Sequence, residues 1–255
     1  MCDLKERFYI STIANDCDKL AKKYGLGIEI AEFCTAANMD EHLEAVRETV
    51  LSHFRSADRF LLHAPFNELS PAAIDPLALR LARKRYGQSS GLAQKYGVRR
   101  IIVHSGYIPN VYFKSWFIEK SISFWRDFLA TFPPDMKIYL ENVMEDSPDM
   151  LMQIAEGISD PRFCLCLDVG HANTELSKAP LSEWIQVFSK RLAHVHLHNN
   201  MGRLDLHNSL ENGTIPMARA IRQLEEICDA PTYTLESIDA RASVDWLVRE
   251  RFITI

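Results

Sequence analysis

The chain has 255 residues, 47% of them hydrophobic and 25% charged, and carries a formal net charge of −5. That balance describes an ordinary globular protein with a large core, built as two small domains or as one α/β barrel. It speaks against a general polyanion binder, because the chain has no basic tail and Arg83-Lys84-Arg85 is a short run that reads as a solvated helix face.

Cysteines stand at positions 2, 17, 34, 164, 166 and 228, with no CxxC pair, so neither a disulfide framework nor a zinc knuckle is suggested. No apolar run approaches the ~18 residues of a membrane span, and the start MCDLKERFY lacks a signal-peptide hydrophobic region. The expectation is a cytoplasmic protein without a membrane partner; nothing in the sequence fixes an oligomeric state.

Read for period, short β-like runs alternate with longer helical ones. Residues 8–13 form the first strand, followed by a helix over 15–24 that stops at Gly25 as a C-cap would. Residues 27–33 are the second strand and 39–54 its helix. The third strand, 59–66, leads through a polar, Pro-rich loop at 67–76 into a long helix ending near Gly97, and such a loop on a rigid scaffold is a place where function collects. After a fourth strand at 100–105 comes a helix over 112–132. Its Trp116, Phe117, Phe124, Trp125 and Phe128 recur at three- and four-residue spacing and read as a core-facing stripe.

Residues 137–142 are the fifth strand, after which Ser147-Pro148 opens a helix with Ser as N-cap and Pro at its first position. Phe163-Cys164-Leu165-Cys166-Leu167 reads as a fully buried sixth strand, with both cysteines as small core residues, and it stops at Asp168, Gly170 and His171. A helix over 180–191 follows. The seventh strand, 192–198, runs into a polar loop at 199–214 and a helix over 215–228; the eighth, 232–236, precedes a closing helix over 244–252. Eight β-then-α units with no composition break fit a single (β/α)8 TIM barrel, one domain over residues 1–255, better than an open sheet or two domains.

In such a barrel the site lies at the C-terminal ends of the strands. His63, His104, Glu141, Asp168, His171, His196 and Glu236 fall there, and Asp205 and His207 lie in the loop after the seventh strand. A lone strand-end histidine is more often a hydrogen-bonded structural residue than a ligand. Glu141 and Glu236 are harder to dismiss, because a carboxylate at the inner end of a buried strand is costly to desolvate unless it is paired or bound to a cation. With few Lys or Arg candidates at the mouth, a divalent metal is the simplest partner, and mixed Glu, Asp and His ligation suits zinc or manganese. His42 and His53 lie on helical patterns and read as surface residues. His194 and His198 share the face of His196 at the two-residue period, so periodicity does not choose among the three.

The strings Leu62-His63-Ala64-Pro65-Phe66, Val103-His104-Ser105-Gly106, Leu140-Glu141-Asn142, Leu167-Asp168-Val169-Gly170-His171, His196-Leu197-His198-Asn199-Asn200, Asp205-Leu206-His207 and Leu235-Glu236-Ser237 resemble, in order, the motifs of the xylose-isomerase-like TIM-barrel superfamily. That superfamily joins sugar and sugar-phosphate isomerases and epimerases to the endonuclease IV family of abasic-site nucleases. The resemblance places its His-Leu string on His196 and implies a shared metal site of Glu141, Asp168, His196 and Glu236. In the nuclease branch a trinuclear zinc site also uses the positions matched by His63 and His104 on one ion and by His171, Asp205 and His207 on another, with Glu141 bridging.

Two mechanisms are therefore expected to compete. An isomerase or epimerase would use one divalent ion, with Glu141 and Glu236 on opposite sides of a small carbohydrate-like substrate moving a proton through an enediolate, and His171 and Arg203 as substrate partners. A phosphodiesterase resembling endonuclease IV would bracket a phosphate of abasic DNA with up to three ions. The loop at 67–76 and the Val103-His104-Ser105-Gly106-Tyr107 string look more like the sugar branch, and no cluster of Arg or aromatic wedges marks a DNA-gripping surface. The isomerase or epimerase reading is the expectation and DNA cleavage the alternative.

Overall fold

Eight short parallel strands pair in sequence order and close on themselves, with β1 joined to both β2 and β8. They are β1 Phe8–Ser11, β2 Gly27–Ile30, β3 Phe60–His63, β4 Arg100–His104, β5 Lys137–Glu141, β6 Phe163–Asp168, β7 Leu192–Leu197 and β8 Thr232–Leu235 in a computed structural model that describes residues 3–254. Cys2 lies outside the described residues. Parallel neighbours require crossovers, and helices supply them: α1 Cys17–Tyr24, α2 Ala36–Asp40, α3 Leu43–His53, α4 Pro76–Lys95, α5 Lys114–Leu129, α6 Asp149–Ile158, α7 Leu181–Phe188, α8 Met217–Ile227 and α9 Ala240–Arg249. This is the expected (β/α)8 barrel.

The two-residue period of each strand sorts its side chains. Outward residues such as Ile28, Ile30, Leu62, Val103 and Leu140 join the large core beneath the helices. Inward residues Tyr9, Leu61, Ile102, Tyr139 and Cys166 form a separate small cluster that plugs the lumen. Two positions further along β3 to β6 stand His63, His104, Glu141 and Asp168, and the register keeps them level, with His104 opposite Glu141 and Asp168 opposite His196. The barrel therefore carries an apolar plug with a polar ring on top of it.

The Gly25 cap and the irregular loop at 67–76 hold as expected, and the structure adds an N-cap at Asp75 that the sequence reading did not single out. Gly25 ends α1 at φ +65° with its N–H on the Ala21 carbonyl, and Asp75 caps α4 by accepting from the Leu77 N–H, with Pro76 in the first turn. The loop at 67–76 is irregular. Gly106 sits at φ +71°, and a Cβ there would come within 2.4 Å of the Leu69 carbonyl oxygen, so a glycine is what lets the loops after β3 and β4 meet.

Other expectations are corrected. The helix expected over 39–54 is broken between α2 and α3, where Asp40 is held by Arg85 and Gln88 of α4. Trp116 leaves the aromatic stripe: it is 38% exposed, and its indole N–H donates to the Ala72 carbonyl of the β3–α4 loop, while Phe117, Phe124, Trp125 and Phe128 are buried as expected. Ser147 does not cap α6, since its hydroxyl faces Asp149 rather than a backbone N–H. Cys166 is buried but Cys164 only half-buried.

His53 is the largest correction. It is 4% exposed, not a surface residue, with Nδ1 2.9 Å from Asp18 and Nε2 2.8 Å from Glu32. Burial opposes its charge, but Cys17, Glu32 and Asp18 outweigh burial and push the imidazole up to about 11. It ties α1, α3 and the turn after β2 together. A raised folded-state value contributes stability that is complete below the unfolded value, near 6.5, and is lost as pH climbs toward 11. His53→Gln is therefore expected to lower stability by about 1–3 kcal/mol near pH 6, and urea titrations at pH 6 and pH 10 should show the gap between wild type and variant narrowing at the higher pH.

Candidate active site and metal centre

The polar ring gathers the expected residues around two carboxylates. At its centre His196 Nδ1 lies 3.2 Å from Glu141 Oε1, 3.3 Å from Glu236 Oε2 and 3.7 Å from Asp168 Oδ2. These are the four side chains that the family resemblance implies for one ion. Residues from β5, β6 and β7 and the residue just past β8 meet here because each stands at or next to the C-terminal end of its strand on the same inward face.

The other oxygen of Glu141 serves a second group, with His63 Nε2 at 3.2 Å and His104 Nε2 at 3.5 Å from Oε2. A third group surrounds Asp205, whose Oδ2 lies 3.3 Å from His171 Nε2 and 2.9 Å from His207 Nε2. His207 holds φ +48°, and its Nδ1 lies 2.7 Å from the Glu236 carbonyl oxygen, which anchors the β7–α8 loop over the ring. All nine expected ligand residues thus fall into three adjoining groups, with Glu141 shared between two.

Burial opposes the charged forms of Glu141, Asp168 and Asp205 and of the histidines at 63, 104, 171, 196 and 207. His196, His104 and His63 nonetheless hold the Glu141 carboxyl well below its ordinary range, and His171 and His198 hold Asp168 at about 2. Burial also works against the imidazolium forms, yet Asp168, Asp205 and Glu141 push His171 up to about 10, and Asp205 and Glu236 push His207 up to about 9. His104 goes the other way, drawn down to about 3 by burial despite Glu141. Glu141, Asp168 and Asp205 stay ionised against burial because positive charge is placed between them. The donor set fits a divalent cation by this criterion: hard oxygens and imidazole nitrogens converge where positive charge is required, and no Lys or Arg side chain among the described residues is paired with Glu141, Asp168 or Glu236.

Two participants, Glu29 and Cys34, escaped the sequence reading, and the resemblance passes over a third, His198, in favour of His196. Glu29, in the middle of β2, is fully buried and points into the lumen, where Thr234 Oγ1 donates to it at 2.6 Å and His196 Nε2 lies 3.3 Å away. His198 places Nε2 3.0 Å from both oxygens of Asp168 and Nδ1 3.6 Å from Asp205, linking the first and third groups. Gly170 makes room for it, since a Cβ there would lie 1.9 Å from the His198 ring. Cys34 sets its sulfur 3.2 Å from His63 Nδ1, and burial pushes its thiol up. The signal for Glu29 was an acid inside an otherwise apolar strand, Gly27-Ile28-Glu29-Ile30.

Above the ring opens a cavity of about 710 Å³ lined by His63, His104, His171, Asp205, His207 and Glu236 together with side chains from the β1, β3, β4, β5 and β8 loops. Glu236 lines it; Glu141 does not, being fully buried with both oxygens facing imidazoles. Arg203, expected as a substrate partner, stays outside: its side chain is 81% exposed and its Nε lies 3.8 Å from Glu175. Among the described residues no helix is long and apolar enough to cross a membrane.

Comparison with known proteins agrees with this architecture. A D-tagatose 3-epimerase-like protein superposes with a TM-score of 0.75 at 21% identity, covering 96% of each chain. The TTHB071 protein of Thermus thermophilus, from a crystal soaked with ZnCl2, gives 0.74 at 22% identity over 96% of this chain and 97% of its own. The IOLI protein with a bound zinc atom gives 0.76 at 14% identity over 98% and 100%. At these identities the likeness is one of fold. The uncharacterized protein MJ1311 of Methanocaldococcus jannaschii is 27% identical over 193 residues, which is 72% of this chain and 66%, just under two thirds, of that protein. The family model described as xylose isomerase-like TIM barrel matches residues 6–250, and with the barrel and its strand-end ring this places the chain in the xylose isomerase-like TIM-barrel family.

Proposed function

We propose that the protein is a divalent-metal-dependent isomerase acting on a small carbohydrate-like α-hydroxycarbonyl compound. The observation that carries this reading is the meeting of Glu141, Asp168 and Glu236 around His196 Nδ1 beneath a cavity that Glu236 lines. These four residues would hold the ion, zinc or manganese by their chemistry. Bound there, it would supply Lewis-acid polarisation of the substrate's adjacent oxygens and so acidify the C–H between them.

The rest falls to the chain's own side chains. Glu236 is the one carboxylate of the four that faces the cavity, and it would take the proton from one carbon and return it to its neighbour. The sequence suggested Glu141 as a second base on the opposite face. Its oxygens are engaged by His63, His104 and His196, which supports a ligand role instead. One base on one face suits a 1,2-proton shift between aldose and ketose; inversion at a carbon needs donors on both faces. His171, lining the cavity with a raised affinity for its proton, is placed to donate to a substrate oxygen.

The test is proton exchange. Zinc- or manganese-loaded protein incubated in D2O with a panel of aldoses, ketoses and related hydroxycarbonyls is expected to place deuterium on a carbon next to a carbonyl, read by NMR. A panel without any exchange would sink the isomerase reading.

A specific observation favours a second reading, phosphoester hydrolysis. The His63–His104 and His171–Asp205–His207 groups flank the central four as a three-ion set would require. Duplex DNA fits a cavity without Lys or Arg among its described lining residues poorly, so a small phosphoester is the form this reading takes. Metal analysis separates the two: the isomerase reading expects one tightly held ion per chain. Asp205→Ala and His207→Ala are then expected to cost about 10-fold in kcat, whereas three ions and complete loss of phosphate release in both variants would favour the hydrolase.

A further inference from the structure

The walls above the ring do not suit a sugar phosphate. No Lys or Arg among the described residues lines the cavity, and the carboxylates that do are Glu68, Asp205 and Glu236. The imidazoles of the lining all belong to the ring, so a phosphate remote from the reacting carbons would sit among the upper walls, where Glu68 is the one charged side chain lining the cavity. Nearby cations are turned away, Lys114 to Asp146 and Arg203 to Glu175.

What the walls offer is apolar surface. Phe66 stacks on His104 with ring centres 4.2 Å apart, so this surface begins at the floor itself. It rises to a rim of Ile13, Ile108, Met144 and Ile238, which are 40%, 48%, 40% and 69% exposed. These four come from separate loops, after β1, β4, β5 and β8. Large apolar side chains from four loops, gathered round one opening and left to water, serve no packing purpose; an apolar ligand group would cover them.

We infer that the substrate is an uncharged α-hydroxycarbonyl compound whose far end is an aryl or alkyl group, seated between Phe66 and the Ile108–Met144 side of the rim. The head group rests on the isomerase reading; the tail rests on the wall alone. The polar end meets the ring, and the apolar end displaces water from the rim.

Hydroxamates test the two parts separately. They present two adjacent oxygens, as an enediolate does, and bind divalent ions without turnover. Zinc-loaded protein would be titrated calorimetrically with acetohydroxamate, hexanohydroxamate and a phosphate-terminated hydroxamate of similar length. Hexanohydroxamate is expected to bind at least about tenfold more tightly than acetohydroxamate, from its additional buried methylenes, and the phosphate-terminated compound no more tightly than acetohydroxamate. Ile108→Asn and Met144→Gln should each reduce the hexanoyl gain while leaving acetohydroxamate affinity within about twofold. Equal affinities for the acetyl and hexanoyl compounds, a hexanoyl gain unchanged in both variants, or a preference for the phosphate-terminated one would overturn the tail assignment and leave the head standing. Failure of all three to bind would overturn the head-group reading and the inference with it.

Discussion

Replacing Glu236 by Gln is expected to lower kcat by about 10³-fold while the fold and most of the metal affinity survive. Glu236 follows the last residue of β8 on the lumen side, its N–H bonded to the Leu197 carbonyl and the residue 8% exposed. Gln keeps the length, one oxygen and the backbone contacts. It loses the basic oxygen that would take a proton from carbon. Circular dichroism and zinc content should stay near wild type, and steady-state rates in a coupled assay should collapse. Turnover within about tenfold of wild type would remove Glu236 as the base and move attention to Asp205, the other carboxylate of the ring that reaches the cavity.

Glu29→Ala is expected to destabilise the protein by about 3 kcal/mol, and Glu29→Gln to fold but bind zinc about 10- to 100-fold more weakly. Glu29 is fully buried one layer below the ring, opposite Leu61 of the plug. Thr234 donates to it, His194 Nε2 lies 3.4 Å away, and His196 Nε2 lies 3.3 Å from its other oxygen. Glu29 Oε1 and His196 Nε2 face each other without a hydrogen bond, so the carboxylate acts on the imidazole through charge, favouring the orientation in which Nδ1 faces Glu141, Asp168 and Glu236. Burial opposes ionisation of Glu29, but His196 and His194 hold its carboxyl far below the ordinary range. Removing it strands two imidazoles in the lumen beside a cavity; the amide keeps the shape but not the charge. Urea titration and competition with a chromophoric zinc chelator measure the two effects, and a Gln variant that holds zinc as tightly as wild type would end the positioning role.

The barrel was legible because its rule is simple: apolar runs alternate with amphipathic ones, and every acid or imidazole at the end of a strand shares one face with the others. His63, His104, Glu141, Asp168 and Glu236 could be collected by position alone, whereas His196 needed the family resemblance to set it apart from His194 and His198, which share its face. Glu29 could not, because it lies in mid-strand between Ile28 and Ile30, where its partners on β7 and β8 are more than 160 residues away. His53 failed for the same reason, since its partners Asp18 and Glu32 come from other elements and leave no trace in its own helix pattern. Arg203 shows the opposite error: closeness in sequence to His196 placed it in the right loop, and the loop turned it to solvent.

The stacking of plug and ring also constrains how this protein can diverge. A single-residue deletion inside any strand would carry that strand's ring residue onto the helix-facing side and bring an aliphatic one into the lumen, damaging anchorage and chemistry in one stroke. Point changes in the loops carry no such double penalty, so new substrate preferences in descendants of this chain should accumulate beyond the strand ends, at positions such as Ile108, Met144 and Ile238, while the strands keep their length.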